Sequence, residues 1–530
     1  MVEQDLWRRI YMGSLGASGY QYDLVIPLVK PAFGRGDGAV AAEKKDGVLP
    51  AADVIIKIKT LIIGPIRFYL FHPESAGGHR KYQDQQDHAR NASQLYHTIH
   101  VTKIRISLSL GLMPSIKQQS KKIADLGVIA LAALIPSCLY SLDIAVLALI
   151  GVCRIIQGDL RQWKPFLKEP RVFFPILFYL YLFFGFFFSH NRGEALSIWS
   201  EKLPFLLYPL IIGCQPVLDK DLIRNAGRAF VLSLVICLAA ALLYAAGDIL
   251  ITHAYTIQLG ESIYKKWSWY GLTRIYDNWH PSYVSAFCNM GIAFLLSSPA
   301  PERRSSRVYR IIALLFLSVC VFLLYSITGI IIYFLLLLFF GYKWLSRRRW
   351  PVAVNLGIVL VLAGLLAGML YINPLAFEKL QKLREKGWSA TDNQDERTVL
   401  TIRMAKWTTY LDVFKKHALF GVTAGDIKDV RKKAYEDKGY KDLAQYNYNA
   451  HDQYIEILTV CGIAGSLFFL GLLWTAVPGK ESNPMLLPFL LICLVAFTTE
   501  SMLERQQGLN FFMFFYALLT LRVSGKSSYF

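Results

Sequence analysis

Asn449-Ala450-His451-Asp452-Gln453-Tyr454 runs directly into an apolar segment spanning 455–477. A histidine therefore stands where a long polar loop enters a hydrophobic helix. Read as one continuous helix, His451, Ile455, Leu458, Gly462 and Gly465 share a face. Gly462 and Ser466 form a small-xxx-small pair, the pattern that lets two membrane helices approach closely. The histidine fits two readings on this local pattern. It is either an interfacial residue without chemistry or a titratable imidazole held for proton transfer near neutral pH.

The rest of the chain sets the context. It has 530 residues, of which 54% are hydrophobic and only 18% charged. Several apolar runs approach or exceed the roughly 18 residues that span a bilayer. The spacing predicts an all-α polytopic membrane protein. About twelve transmembrane helices are expected, near 123–140, 141–157, 172–189, 196–214, 228–247, 281–299, 309–326, 328–345, 351–371, 454–477, 485–500 and 508–523. A net charge of +19 does not indicate nucleic acid in such a chain, because Lys and Arg first fix topology. Alternate short loops are basic, with Arg303, Arg304, Arg307 and Arg310 in one and Lys343, Arg347, Arg348 and Arg349 in another. The intervening loops are sparse, carrying Arg192, then Lys265, Lys266 and Arg274, then Arg505. The basic set is expected in the cytoplasm, and the long loop 372–453 on the opposite side. All eight cysteines fall in apolar segments, which reads as burial rather than a disulfide framework.

Four regions follow: an extension over 1–112, spans within 113–371, the large outer loop 372–453, and spans with a tail over 454–530. The extension mixes Gly-rich and polar runs and holds five of the ten histidines, at spacings that match no metal-ligand pattern. Met113 begins a plausible membrane-protein start. The large loop is basic, and 399–414 has helical spacing of Ile402, Trp407, Tyr410, Leu411 and Phe414, which predicts an amphipathic helix against the membrane. Its arginines form either a solvated lid near headgroups or a lid over an anionic, lipid-linked substrate. Asp392, Asp395 and Glu396 are the acidic cluster nearest to a metal site, and a solvated turn explains them too. Glu201 and Lys202, at expected membrane depth, are either functional or an internal ion pair fixing helix packing.

Several motifs point to one family. His451-Asp452, nine residues and then Gly462-Ile463-Ala464-Gly465 resembles the His-(Asn/Ser/Gln)-x9-Gly-x-x-Gly signature of the O-antigen ligase family. That family also holds O-antigen polymerases and some protein O-oligosaccharyltransferases. Asp452 departs from the usual amide or hydroxyl residue. Arg403-Met-Ala-Lys-Trp407 followed by His417-Ala-Leu-Phe-Gly421-Val-Thr-Ala-Gly425-Asp426 is similar to the family's Arg-x3-Trp…Pro-Leu-x-Gly-Val-Gly-x-Gly pattern, with Ala418 and Thr423 as departures. Arg274-Ile-Tyr-Asp-Asn-Trp-His280-Pro281-Ser282-Tyr283 resembles its outer arginine before a His/Asn-Pro-x-Tyr helix start. Thr499-Glu500-Ser-Met-Leu-Glu504-Arg505-Gln-Gln-Gly508 and Ser189-His-Asn-Arg resemble motifs of Bacteroidetes-type members.

The resemblance implies glycan transfer from undecaprenyl diphosphate to an acceptor hydroxyl at the periplasmic face of the bacterial inner membrane. The acceptor would be lipid A–core for a ligase or another lipid-linked repeat for a polymerase. It implies His451 as proton acceptor, and Arg274 and Arg403 as diphosphate ligands. Asp452, Arg397, His280, Glu201, Lys202 and Glu500 are supporting candidates. Neither a metal nor another cofactor is expected. The expected partners are the lipid-linked donor, a glycan acceptor and membrane lipids, not nucleic acid. A transporter is the rival from another class, and it would show paired, broken helices in two related halves.

Overall fold

The computed structural model describes residues 114–158, 168–213, 219–251, 272–273, 279–298, 303–348, six positions between 354 and 368, 399–479 and 482–521. The extension 1–112, most of the span expected at 351–371, and Arg274, Asp392, Asp395, Glu396 and Arg397 lie outside them.

The described residues form α-helices joined by turns and two short 3-10 segments, with no strand among them. In chain order the helices are α1 (Pro114–Leu134), α2 (Tyr140–Gln157), α3 (Pro170–Phe186), α4 (Arg192–Glu201), α5 (Pro204–Ile211), α6 (Lys220–Ile251), α7 (Pro281–Ser297), α8 (Arg304–Leu323), α9 (Ile327–Arg348), α10 (Val399–Lys416), α11 (Ile427–Asp437), α12 (Lys441–Tyr446), α13 (Gln453–Thr475), α14 (Leu486–Phe497) and α15 (Gln506–Leu519). Five described helices, α2, α6, α8, α9 and α13, are long and apolar enough to cross a membrane, while α3, α7 and α14 are apolar but shorter. This is an all-α membrane protein.

The surface fits a lipid solvent. On α8, Ile311, Ile312, Leu315 and Val319 are each more than half exposed, an arrangement that water would penalise and hydrocarbon would not. In contrast, α7 and α15 are apolar all round and buried on nearly every side, so they form the centre of the bundle. Phe511, Phe512, Phe514 and Phe515 of α15 anchor this core against Phe230 of α6, Phe287 of α7 and Phe489 of α14.

Three expectations are corrected. The segment 196–214 is not one span but two short helices, α4 and α5, separated at Lys202-Leu203; Pro204 cannot continue a helix from behind and instead opens the next one at its first turn. The described part of loop 372–453, whose helix over 399–414 was expected against the membrane, is packed on protein. Its helices α10, α11 and α12 share a core of Ala405, Tyr410, Val413, Tyr435 and Leu443. Accordingly, α10 turns its buried face, with Thr401, Ala405, Thr409 and Tyr410, towards protein and packs on α13.

The third correction concerns α13, which is not continuous. It opens at Gly462, whose φ is +63°. A regular helix would pair the Thr459 carbonyl with the Ile463 amide and the Val460 carbonyl with the Ala464 amide. The segment 418–423 has inserted into both bonds. Val422 and Thr423 donate their amides to the Thr459 and Val460 carbonyls, each at 3.0 Å. Ile463 and Ala464 donate to the Ala418 and Leu419 carbonyls at 2.9 and 3.1 Å. All four freed groups are satisfied, as burial in a low-dielectric setting demands. Gly421, with φ +77°, lies directly against Gly462, and a Cβ on either residue would overlap the other's backbone. Thus the glycine pair admits a backbone segment of the outer loop, not a neighbouring helix.

Candidate active site

The backbone around His451 is fixed before its side chain is. Asp452 is the N-cap of α13, its carboxylate accepting the Ile455 amide at 2.9 Å. That leaves His451 outside the helix, in a left-handed conformation with φ +49°, which costs a non-glycine residue energy and marks a position held by its surroundings. The hold is visible on both sides. His451 donates its amide to Asn449 Oδ1 at 3.2 Å. Ala450 donates its amide to Glu456 Oε2 at 2.8 Å and accepts Trp407 Nε1–H at 3.1 Å. Glu456 is buried one turn into α13 and also takes Tyr410 O–H at 3.3 Å and Ser501 O–H at 3.4 Å. Arg431 continues the network, donating to Tyr410 Oη at 3.2 Å and to Asn447 Oδ1 at 2.7 Å. A connected set of this kind fixes geometry more firmly than its members would singly.

The side chain of His451 faces Glu500, with Nδ1 at 3.0 Å from Oε2. Glu500 is buried, and it collects donors from three other parts of the fold. Its Oε1 accepts Arg403 Nη2–H at 3.4 Å and Ser282 O–H at 3.3 Å. Burial pushes the Glu500 carboxyl pKa up, but the hydrogen bond from His451 and the charges of His451, His280 and Arg403 outweigh it, so the pKa falls below the ordinary carboxylate value. An ionised carboxylate can only accept, so Nδ1 carries the hydrogen, and Nε2 is the nitrogen that holds the lone pair when the ring is neutral. The contact with Arg403 uses one of five guanidinium N–H groups, and about a quarter of that side chain is exposed.

The sequence-predicted residues separate into four groups. His451, Arg403, His280 and Glu500 come together. His280 is the N-cap of α7, before Pro281. Its Nδ1 is buried without a hydrogen-bond partner, and burial lowers its pKa against the opposing pull of Glu500. Asp452 is adjacent but does not orient His451, since its carboxylate caps α13; burial raises its pKa against the amide hydrogen bonds of Ile455 and Tyr454 and the charge of Arg403. Glu201 and Lys202 do not pair with each other. Glu201 is exposed. Lys202 is buried and donates to the Leu503 carbonyl at 2.5 Å and Glu504 Oε2 at 2.9 Å. Gln453 Oε1 takes the Leu503 amide at 2.6 Å. Lys202 therefore clamps the 3-10 turn Met502–Glu504 that follows Glu500. Arg274 and Arg397 lie outside the described residues.

Lys406 is a site residue that the sequence reading missed. Its Nζ lies 4.1 Å from the centre of the Tyr448 ring, a cation–π distance, and Tyr448 lies 6.3 Å ring-to-ring from His451. Burial, with the charge of Arg403 beside it, pushes the Lys406 pKa down to about 8. The signal was available, because Lys406 follows Arg403 by three positions on a helix and so shares its face. The α3–α4 turn also belongs to the surroundings of the site. Asp426 accepts the His190 and Asn191 amides at 3.0 and 2.9 Å, and Ser189 Oγ lies 2.6 Å from Thr423 Oγ1. These contacts join two motifs far apart in sequence and hold the segment that enters α13.

No curated protein matches the chain. Over residues 312–470, which hold Arg403 and His451 but stop short of Glu500, the chain matches the family model described as O-antigen ligase.

Proposed function

We propose that the chain transfers a glycan from a polyprenyl-diphosphate donor, in undecaprenyl form, to an acceptor hydroxyl at the outer face of the bacterial inner membrane. The acceptor hydroxyl gives its proton to His451 Nε2 as its oxygen attacks the anomeric carbon. The bond from that carbon to the donor's phosphate oxygen breaks, and the electron pair leaves with the diphosphate. Displacement in one step inverts the anomeric carbon. Arg403, with Arg274, takes the charge that develops on the leaving group, and this assignment needs no metal. Ligation to lipid A–core is the reading we prefer, with polymerisation of lipid-linked repeats as the second. With loop 372–453 periplasmic, this chemistry would lie on the side where such donors are presented.

The observation that carries this reading is the hydrogen bond between His451 Nδ1 and Glu500 at 3.0 Å. It leaves Nε2 as the acceptor, in the way a carboxylate fixes a catalytic imidazole elsewhere. The test is transfer of labelled glycan by purified, reconstituted protein, beside donor binding. His451→Ala should lose about 10²–10⁴ in rate with donor binding retained, and EDTA should leave the wild type unchanged. Full activity in His451→Ala overturns the role of His451, and EDTA sensitivity overturns the metal-free assignment. Complementation of ligase-null and polymerase-null strains separates the two acceptors.

A further inference from the structure

A second polar site lies at the end of the bundle opposite His451. Helix α7 runs from His280 at the candidate active site to Ser297, and α14 runs back from Met485 towards Glu500. At the far ends of both, with the N-terminal turns of α6 and α8, is a cleft. Its lining joins apolar residues, Ile223, Val231, Phe294 and Met485, to the polar Arg224, Arg228, Ser297 and Asn483.

Three polar atoms in this lining are buried without a hydrogen-bond partner: Arg224 Nε, Ser297 Oγ and Asn483 Nδ2. Ser297 and Asn483 are 5% and 2% exposed. The orientation of Asn483 is settled, because its Oδ1 accepts the Met485 amide at 2.9 Å, so the atom left over is the donor. Arg224 is held from one side, by Asp221 at 2.6 Å through Nη2, leaving Nε–H unused. A buried polar atom without a partner costs free energy, and all three belong to residues that line this one cleft. Two of the three are N–H donors that cannot accept, and the third is a hydroxyl that can donate. With Arg228 beside them, they call for an anion rich in acceptor oxygens.

We infer that this cleft binds the phosphate group of an anionic phospholipid. The lipid source, rather than free phosphate, follows from what adjoins the cleft. Arg228, Leu232 and Ile236 lie one above another at helical spacing, and Leu232 and Ile236 are about half exposed, so an apolar track leads from the guanidinium down the bundle. Val308 and Tyr309, at the start of α8, flank the mouth and are also exposed. On the orientation proposed above, this is the cytoplasmic leaflet. The site is independent of the transfer reaction, and it fixes the ends of the two helices that carry Ser282 and Glu500 at their other ends.

The test is lipid retention and thermal stability of the full-length protein in detergent. The probes are phosphatidylglycerol, phosphatidylcholine and inorganic phosphate. Phosphatidylglycerol should remain bound by native mass spectrometry and raise the melting temperature, and the other two should do neither. Arg224→Gln with Arg228→Gln should weaken retention about tenfold or more, the scale of a lost charge-assisted hydrogen bond. Ser297→Ala, which leaves the charges in place, should weaken it less. Arg303→Gln with Arg307→Gln, which removes two exposed charges outside the lining, should retain the lipid. Equal loss in both double variants would reduce the effect to surface charge and overturn the site. Stabilisation by phosphate alone would overturn the lipid assignment.

Discussion

At the scale of the residue, Glu500 does most to define the site. It receives His451, Arg403 and Ser282 on two oxygens, so its loss acts through the imidazole rather than on substrate. Glu500→Gln should cut kcat by about 10²–10⁴ with the donor KM little changed, the pattern expected when a positioning carboxylate is neutralised. Nitrogen NMR of His451 should report loss of the Nδ1–H tautomer in that variant, a change that simple destabilisation would not give. Wild-type rates in Glu500→Gln would remove the dyad. Lys406 supplies a pH prediction. Its pKa is lowered to about 8, so the ammonium is present below that pH and lost as pH rises through it. If its charge assists an anionic donor, kcat/KM should fall above about pH 8, and Lys406→Arg should extend the plateau upward, because a guanidinium stays charged. An unchanged alkaline limb in the arginine variant would exclude Lys406 from donor recognition. Arg403 and His451 were legible in the sequence because motif spacing carries them. Glu500 was legible only as part of a terminal motif, since nothing in a chain announces which carboxylate will meet a histidine 49 positions earlier.

At the scale of the element, the opening of α13 is where sequence reasoning went furthest astray. The apolar run read as a span over 454–477 forms α13, whose start at Asp452 is set by a side-chain cap of ordinary kind. However, hydropathy cannot register a helix whose hydrogen bonds are completed by a segment some forty residues earlier. Gly462 was therefore assigned to helix packing. Ala at this position would need a left-handed φ and would overlap the backbone of 419–421. Gly462→Ala should cost on the order of 1–3 kcal/mol, seen as a lower midpoint of thermal inactivation in detergent. Gly341→Ala on α9, where an added Cβ meets nothing within 4 Å, should leave the midpoint unchanged or raise it. Equal midpoints for wild type and Gly462→Ala would show that the strand-like insertion is dispensable.

At the scale of the whole molecule, the apolar runs were legible but their ends were not, since α6 (Lys220–Ile251) and α8 (Arg304–Leu323) both begin well before the runs at 228–247 and 309–326. Hydrophobic runs at 228–247, 281–299, 309–326 and 328–345 became α6, α7, α8 and α9, because burial in lipid or core is what a continuous apolar run encodes. The run at 196–214 misled because Lys202 and Pro204 break it. Orientation rests on charge alone and has its own test. In a version lacking its eight cysteines, a cysteine at exposed His417 should react with an impermeant thiol reagent in intact spheroplasts, and one at exposed Ser346 should not. Equal labelling would overturn the proposed topology. The gap in α13 also constrains how the protein is made. Until 418–423 is in place, the Thr459 and Val460 carbonyls and the Ile463 and Ala464 amides have no partners, and each bare group costs several kcal/mol in hydrocarbon, to order of magnitude. The ribosome delivers 418–423 first, and on the proposed topology that segment crosses the bilayer and folds back before the helix following it can rest there. On that topology, maturation of the candidate site is tied to the order of export, and a chain whose loop 372–453 is left behind has no stable berth for α13.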